Sequence, residues 1–314
     1  MDTAPTRGPR FGILSFAVGP YQALEAEWRW AEEIGFHSAW IPDTFAVGSL
    51  ADMEQWTLLG ALARATSRIR IGTLVTSIVA RHPTLVAAAA LTTDRISQGR
   101  VEVGLGTGDK QDFPAFGLAE WPSRERMERL EEQVAMLDRL MRGDELQRET
   151  RWYGAMHARV SAPVQRPRPP LLVAAEGPRG LNLVARQADG WCTLGGRWPM
   201  VSGGPVISET QALAATRRRV EQLEALCRDA GRDPALVRRI VLAFRRPVDP
   251  LSSIDAFDEF VGSYSGAGIG EFVVYWPPLA DLRERRPASA ERRAIVERIA
   301  MARFDRASRS AAGS

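Results

Sequence analysis

Lysine is almost missing from this sequence. The 314 residues include 41 basic and 38 acidic side chains, and every basic one except Lys110 is arginine. A GC-rich genome accounts for the arginines but leaves the exception open. The net charge of +3 is small and evenly spread, which argues against a protein that grips phosphate backbones, so no nucleic acid is expected as a partner. Cysteine is also scarce. Cys192 and Cys227 have no metal-ligand spacing and make no disulfide framework, which fits a reducing cytoplasm. His37, His82 and His157 are isolated, without H-E-x-x-H or H-x-H, so a metal hydrolase has no support and no metal is expected. A serine hydrolase is disfavoured too, because no G-x-S-x-G elbow occurs. No apolar run approaches the roughly 18 residues of a membrane span. Residues 1–10 are polar and contain proline and glycine, unlike a secretion signal. The expectation is a soluble, cytoplasmic protein with a flexible start at 1–10 and a flexible tail at 305–314.

What is present is a rhythm. With 45% hydrophobic residues, short apolar runs alternate with longer amphipathic ones. Strands are expected at 11–16, 38–43, 69–77, 101–108, 171–175, 190–194, 239–244 and 271–276. Helices are expected at 21–35, 55–66, 84–96, 123–142, 179–187, 208–230, 253–265 and 289–304. Ser123 reads as an N-cap, with Arg126 where a capping box prefers Glu. Residues 149–170 lack a helical period and read as an insertion. Alternation of this kind implies a parallel sheet wrapped by helices, and the number of units matches a (β/α)8 TIM barrel over residues 11–304 with insertions after the fourth and sixth strands. An open doubly wound sheet is the competitor. Its G-x-G-x-x-G fingerprint is absent from the first turn, which is Ala17-Val-Gly-Pro20.

In such a barrel the site lies where strands end. That rule selects Phe16; Asp43 and Thr44; Thr73, Leu74, Val75, Thr76 and Ser77; Gly106, Thr107, Gly108, Asp109 and Lys110; Glu176, Gly177, Pro178 and Arg179; Cys192 and Thr193; and Trp276. The sole lysine falls within this set. Two glycine-rich turns on one face, one followed by Lys110 and the other containing Arg179, suit a phosphate-bearing cofactor, although each is also an ordinary barrel corner. Trp121, Trp152, Trp198 and Trp276 are either core or the walls of a pocket for a planar ligand.

The segments Arg81-His-Pro83, Asp94 to Arg100, Val103 to Lys110, Pro170 to Pro178 and Ala188 to Trp191 resemble the luciferase-like flavin-dependent oxidoreductases. The resemblance covers residues 11–300. The G-x-G-D-K and A-A-x-G-P segments look most like the branch of methylenetetrahydromethanopterin reductase and other deazaflavin F420-dependent enzymes. It implies a cis peptide at Leu74–Val75 in a bulged third strand, against which the ring rests. It also implies cofactor-binding segments at Thr73–Thr76, the Gly106–Lys110 turn with Gly106, Thr107 and Gly108 as its contacts, and Ala175–Arg179, the last near the phosphate, whereas most barrels hold phosphate after strands 7 and 8. Several family members carry a histidine after the acidic residue that closes the second strand. Here the sequence is Asp43-Thr44-Phe45, which leaves Asp43, Asp109 and Lys110 as candidates for proton transfer.

The function implied is hydride transfer between C5 of F420 and a small organic substrate. The alternatives are an FMN-dependent monooxygenase supplied with reduced flavin by a separate reductase, and a non-catalytic flavin-binding protein. Phe16, Thr44, Trp121, Trp152, Trp198 and Trp276 are the expected substrate pocket. A homodimer is implied, with the apolar segments 56–65 and 84–93 available for an interface.

Overall fold

The computed structural model describes residues 8–45, 51–197 and 205–304. Trp198, most of residues 1–10 and the tail 305–314 lie outside the described residues. In chain order the barrel strands are β1 (Arg10–Leu14), β2 (Ser38–Asp43), β3 (Arg70–Ser77), β4 (Val101–Gly106), β7 (Leu171–Ala174), β8 (Gly190–Thr193), β9 (Arg238–Leu242) and β10 (Glu271–Tyr275). They close into one parallel barrel in the order β1-β10-β9-β8-β7-β4-β3-β2, so the expected (β/α)8 architecture holds. Strands buried on both faces must be apolar nearly throughout, which explains runs such as VEVGLG in β4, every residue of which is buried.

The covering helices are α1 (Tyr21–Ile34), α2 (Gln55–Ala65), α3 (Pro83–Ile96), α4 (Asp112–Ala115), α5 (Ser123–Arg142), α6 (Pro178–Gln187), α7 (Glu209–Asp229), α8 (Ile254–Ser265), α9 (Leu279–Arg283) and α10 (Ala290–Arg303). Gly35 stops α1 in the left-handed conformation that glycine adopts without a Cβ clash, at φ 101°. Ser123 is already the first residue of α5, and Pro122 holds the capping position. Among the described residues no helix is long and apolar enough to cross a membrane.

The insertion is a β-hairpin. β5 (Leu146–Thr150) pairs antiparallel with β6 (Gly154–Ala158) in a sheet of its own, beginning before residue 149 and giving way to irregular chain up to β7.

Two layers of core result. Leu14, Trp40, Leu172, Cys192, Ile240 and Val273 fill the barrel interior, and a larger cluster packs between strands and helices. The strand starts carry a charged plug. Arg238 donates to Glu102 Oε2 at 2.8 Å and to Glu271 Oε2 at 2.6 Å, Arg10 reaches Glu271 at 3.0 Å, and Arg70 pairs with the fully buried Glu102. Burial pushes the Glu102 carboxyl up, but the charges and hydrogen bonds of Arg238 and Arg70 outweigh it and hold the group below the usual range. That end of the barrel is closed, which leaves the strand ends as the open mouth.

Candidate active site

The open mouth leads into a cavity of about 710 Å³. β3 shapes its floor. The pairing of β3 with β4 slips between Thr73 and Thr76, and within that bulge the Leu74–Val75 peptide is cis, at the bond the resemblance implied. β4 supplies the room. A Cβ on Gly104 would lie 2.2 Å from the Thr73 carbonyl oxygen, and one on Gly106 would lie 2.7 Å from Val75 Cγ2. Glycine at both positions lets the bulged strand lean onto its neighbour. Leu74 and Val75 then line the cavity together with Ala174, Cys192, Ile240 and Leu242, giving an apolar floor. Burial pushes the Cys192 thiol up, so it stays protonated and packs as a small apolar group.

Of the expected cofactor residues, Leu74, Val75, Gly106, Thr107, Gly108, Ala175, Glu176, Gly177, Pro178 and Arg179 line this cavity. Thr73 and Thr76 do not. Both are fully buried; Thr73 donates to the Gly104 carbonyl at 3.2 Å and Thr76 accepts from Trp56 Nε1 at 3.1 Å. They brace the bulge from behind. Glu176 ties the ends of β7 and β8 together: Oε1 accepts from Thr193 Oγ1 and from the Leu194 amide, each at 2.8 Å. Burial pushes its carboxyl above the usual range despite the nearby Arg219 charge. Arg179 is half exposed, and its fork is taken by Glu131 at 2.7 and 2.6 Å.

Among the proton-transfer candidates, Asp43 and Asp109 line the cavity and Lys110 does not; Lys110 is exposed on the turn outside it. Asp43 is buried, and both its oxygens accept from Arg81, Nε at 2.6 Å and Nη2 at 2.9 Å. Arg81 also pairs with Glu54 at the start of α2. Asp109 is exposed and accepts from the Gln111 amide at 2.9 Å.

The described tryptophans of the expected pocket belong elsewhere. Trp276 follows β10 and is fully buried; its Nε1 donates to Glu27 Oε2 at 2.6 Å and its ring stacks on Trp30 at 4.7 Å, so it packs on α1. Trp121 and Trp152 sandwich Arg129, at 3.8 and 4.3 Å. Phe16 stacks on Tyr275 at 6.1 Å and is not among the cavity-lining residues. Of the expected substrate residues within the described chain, Thr44 alone lines the cavity.

The structure adds residues that strand-end reasoning did not reach. Asp112, at the start of α4, lines one wall beside Ser77 of β3, which the strand-end rule did select. Ser123, Arg124, Arg126 and Met127 from α5 line another. The starts of α5 and α6 thus share one edge of the cavity. Neither has a side-chain cap, a state shared with α1, α4 and α9, whereas α2, α3, α7, α8 and α10 are capped. Uncapped helix starts leave amides and the positive end of the dipole free for an anion. A Cβ on Gly177 would meet nothing within 4 Å, so a ligand can approach the start of α6. Arg126 adds a buried Nε without a hydrogen-bond partner among the described residues.

The model of the family described as "Luciferase-like monooxygenase" matches residues 9–299. The chain belongs to that family. Within the luciferase-like family it is similar to a phthiodiolone/phenolphthiodiolone dimycocerosates ketoreductase of Mycobacterium tuberculosis, 33% identical over 205 residues, 62% of this chain and 49% of that one. It is also similar to an F420-dependent glucose-6-phosphate dehydrogenase of Nakamurella multipartita, 31% identical over 208 residues, 62% of this chain and 59% of that one. The match thus spans about half the length of these relatives. Its fold is that of the coenzyme F420-dependent tetrahydromethanopterin reductase of Methanopyrus kandleri, with a TM-score of 0.74 at 18% identity over 95% of this chain and 100% of that one.

Proposed function

We propose that this luciferase-like barrel is an F420-dependent oxidoreductase acting on a small organic substrate. The observation that carries the reading is the division of one cavity into an apolar floor and an anion-attracting edge, which matches a cofactor with a planar ring and a phosphate-bearing tail. Bound there, the deazaflavin supplies hydride from C5. The chain's own work is placement and exclusion of water. Leu74 and Val75 support the ring, the Gly106–Gly108 turn lets backbone approach its edge, and the free amides of α5 and α6 hold the tail. The relatives whose names specify F420 or a ketone support the choice of cofactor and of a carbonyl or alcohol substrate.

Titration of the purified protein with F420 and with FMN, followed by fluorescence, tests the assignment. Saturable F420 binding is expected, and tight FMN binding without F420 binding would overturn it. The family description supports a second reading, an FMN monooxygenase fed by a separate reductase, which predicts oxygen consumption with added reduced flavin. A homodimer through the outer faces of α2 and α3, with Leu85 of α3 65% and Ile96 of α3 40% exposed, belongs to the same proposal and is read by light scattering.

A further inference from the structure

Several strand ends and one short helix converge on a carboxyl group that the sequence motifs did not single out. Asp112 opens α4, its side chain is buried, and it lines the cavity. Its Oδ2 accepts from the Asp109 amide at 2.9 Å, and the hydroxyls of Ser77 on β3 and Thr44 after β2 lie close enough to favour the charged carboxylate. The turn between is tight. Gly108 has φ +75°, and a Cβ there would lie 2.5 Å from Ser77 Oγ and 3.3 Å from Asp112 Oδ2. Glycine is therefore what allows Asp112 to fold back over the end of β3.

The other candidates are already engaged. Asp43 is held in the fork of Arg81, and Asp109 is exposed on the turn. Asp112 has no ion-pair partner among the described residues. The charged groups on the surrounding walls are Asp109 on its own turn, Asp43 with Arg81 across β2, Arg124 and Arg126 on α5, Glu176 after β7 and Arg179 in the first turn of α6.

We propose that Asp112 is the acid–base residue of this cavity, giving its proton to the oxygen of a neutral carbonyl substrate as the adjacent carbon accepts hydride. This rests on the F420 reading. The hydride carries its electron pair into a new C–H bond and the carbonyl π pair moves to oxygen. The Oδ–H bond of Asp112 breaks as the alcohol O–H forms, and the carboxylate recovers a proton from water at the mouth. The substrate is reduced by two electrons and the reduced deazaflavin is oxidised by two. Burial pushes the Asp112 carboxyl upward, Asp109's charge adds to that, and the bond from the Asp109 amide and the nearby Ser77 and Thr44 hydroxyls pull the other way without cancelling it. The serine and threonine hydroxyls can accept from the acid and donate to the carboxylate, so both states can find partners.

The test uses Asp112→Asn, which keeps the shape and an acceptor for the Asp109 amide, and Asp112→Glu as a second variant that keeps the acid. Carboxyl 13C NMR of the protein without cofactor should show one aspartate titrating above the ordinary range, absent in Asp112→Asn; no such resonance would overturn the proposal. With reduced F420 and cyclohexanone as the carbonyl probe, Asp112→Asn should lose about 100-fold or more in kcat. Its F420 affinity should be unchanged and the alkaline limb of the rate profile lost, while Asp112→Glu keeps that limb. An Asp112→Asn enzyme within tenfold of the parent with the same limb would refute the role, as would a parent that binds reduced F420 but leaves cyclohexanone unreduced. Failure of the parent to bind F420 at all would instead refute the cofactor assignment.

Discussion

Arg81→Leu is the substitution whose cost the structure defines most closely. The Asp43 side chain is fully buried and that of Arg81 is 16% exposed, so the pair is desolvated and joined by two hydrogen bonds of 2.6 and 2.9 Å. Removing the guanidinium strands the Asp43 carboxylate, and breaking such a pair costs about 3–5 kcal/mol. Glu54 also loses its partner, but it is 39% exposed and regains water at little cost. At about 2–4 °C per kcal/mol for a domain of this size class, the melting temperature should fall by about 6 °C or more. Adding Asp43→Leu removes the stranded charge and should restore much of the loss. Thermal unfolding of the parent, both single variants and the double variant, followed by circular dichroism at neutral pH, closes the cycle. A loss under about 1 kcal/mol for Arg81→Leu, or a double variant no more stable than Arg81→Leu alone, would refute the view of Asp43 as a locked structural acceptor.

Gly177→Asp should move stability and binding in opposite directions. The open position accepts the side chain, a new cap on α6 adds about 1 kcal/mol, and the added carboxylate repels the cofactor tail, so a higher melting temperature with weaker F420 binding is expected; stronger binding would contradict the anion edge. Trp276→Phe loses the bond to Glu27 and part of the stack on Trp30, so unfolding should come earlier while F420 affinity stays unchanged; altered affinity would put Trp276 in the site after all. His37 is pushed down to about 4, chiefly by burial. The unfolded chain, with an ordinary imidazole near 6.5, therefore takes up its proton first, and stability falls as pH drops from about 6.5 to 4, by at most about 3 kcal/mol. His37→Phe should flatten that part of the urea-midpoint profile, and an unchanged profile would show that other groups produce it.

The barrel was legible because parallel strands and their helices alternate in apolar period, a signal that depends on burial alone. Leu74 and Val75 were reached by the strand-end rule, but the bulge that holds them was legible only through motif resemblance; no rule of composition or period points to it. The tryptophan at 276 misled because a strand-end position does not reveal which way a side chain faces. Its neighbour Tyr275 faces Phe16 at the mouth while Trp276 turns outward to α1. The β5–β6 hairpin escaped because RETRWYGAMHA alternates weakly and lacks the Asn-Gly or Asp-Gly turn that marks such a ribbon. Asp112 escaped for a different reason: a helix as short as Asp112–Ala115 has no period to read, and only the fold-back at Gly108 brings it to β3. Likewise, the pairing of Asp43 with Arg81, 38 positions apart, is a product of tertiary closure.

The exposed turn that carries Lys110 offers a practical handle. Because every other basic side chain is a guanidinium, an amine-directed succinimidyl dye finds a single lysine target, beside the entrance. A fluorophore coupled there would report arrivals and departures at the doorway without any engineered attachment point.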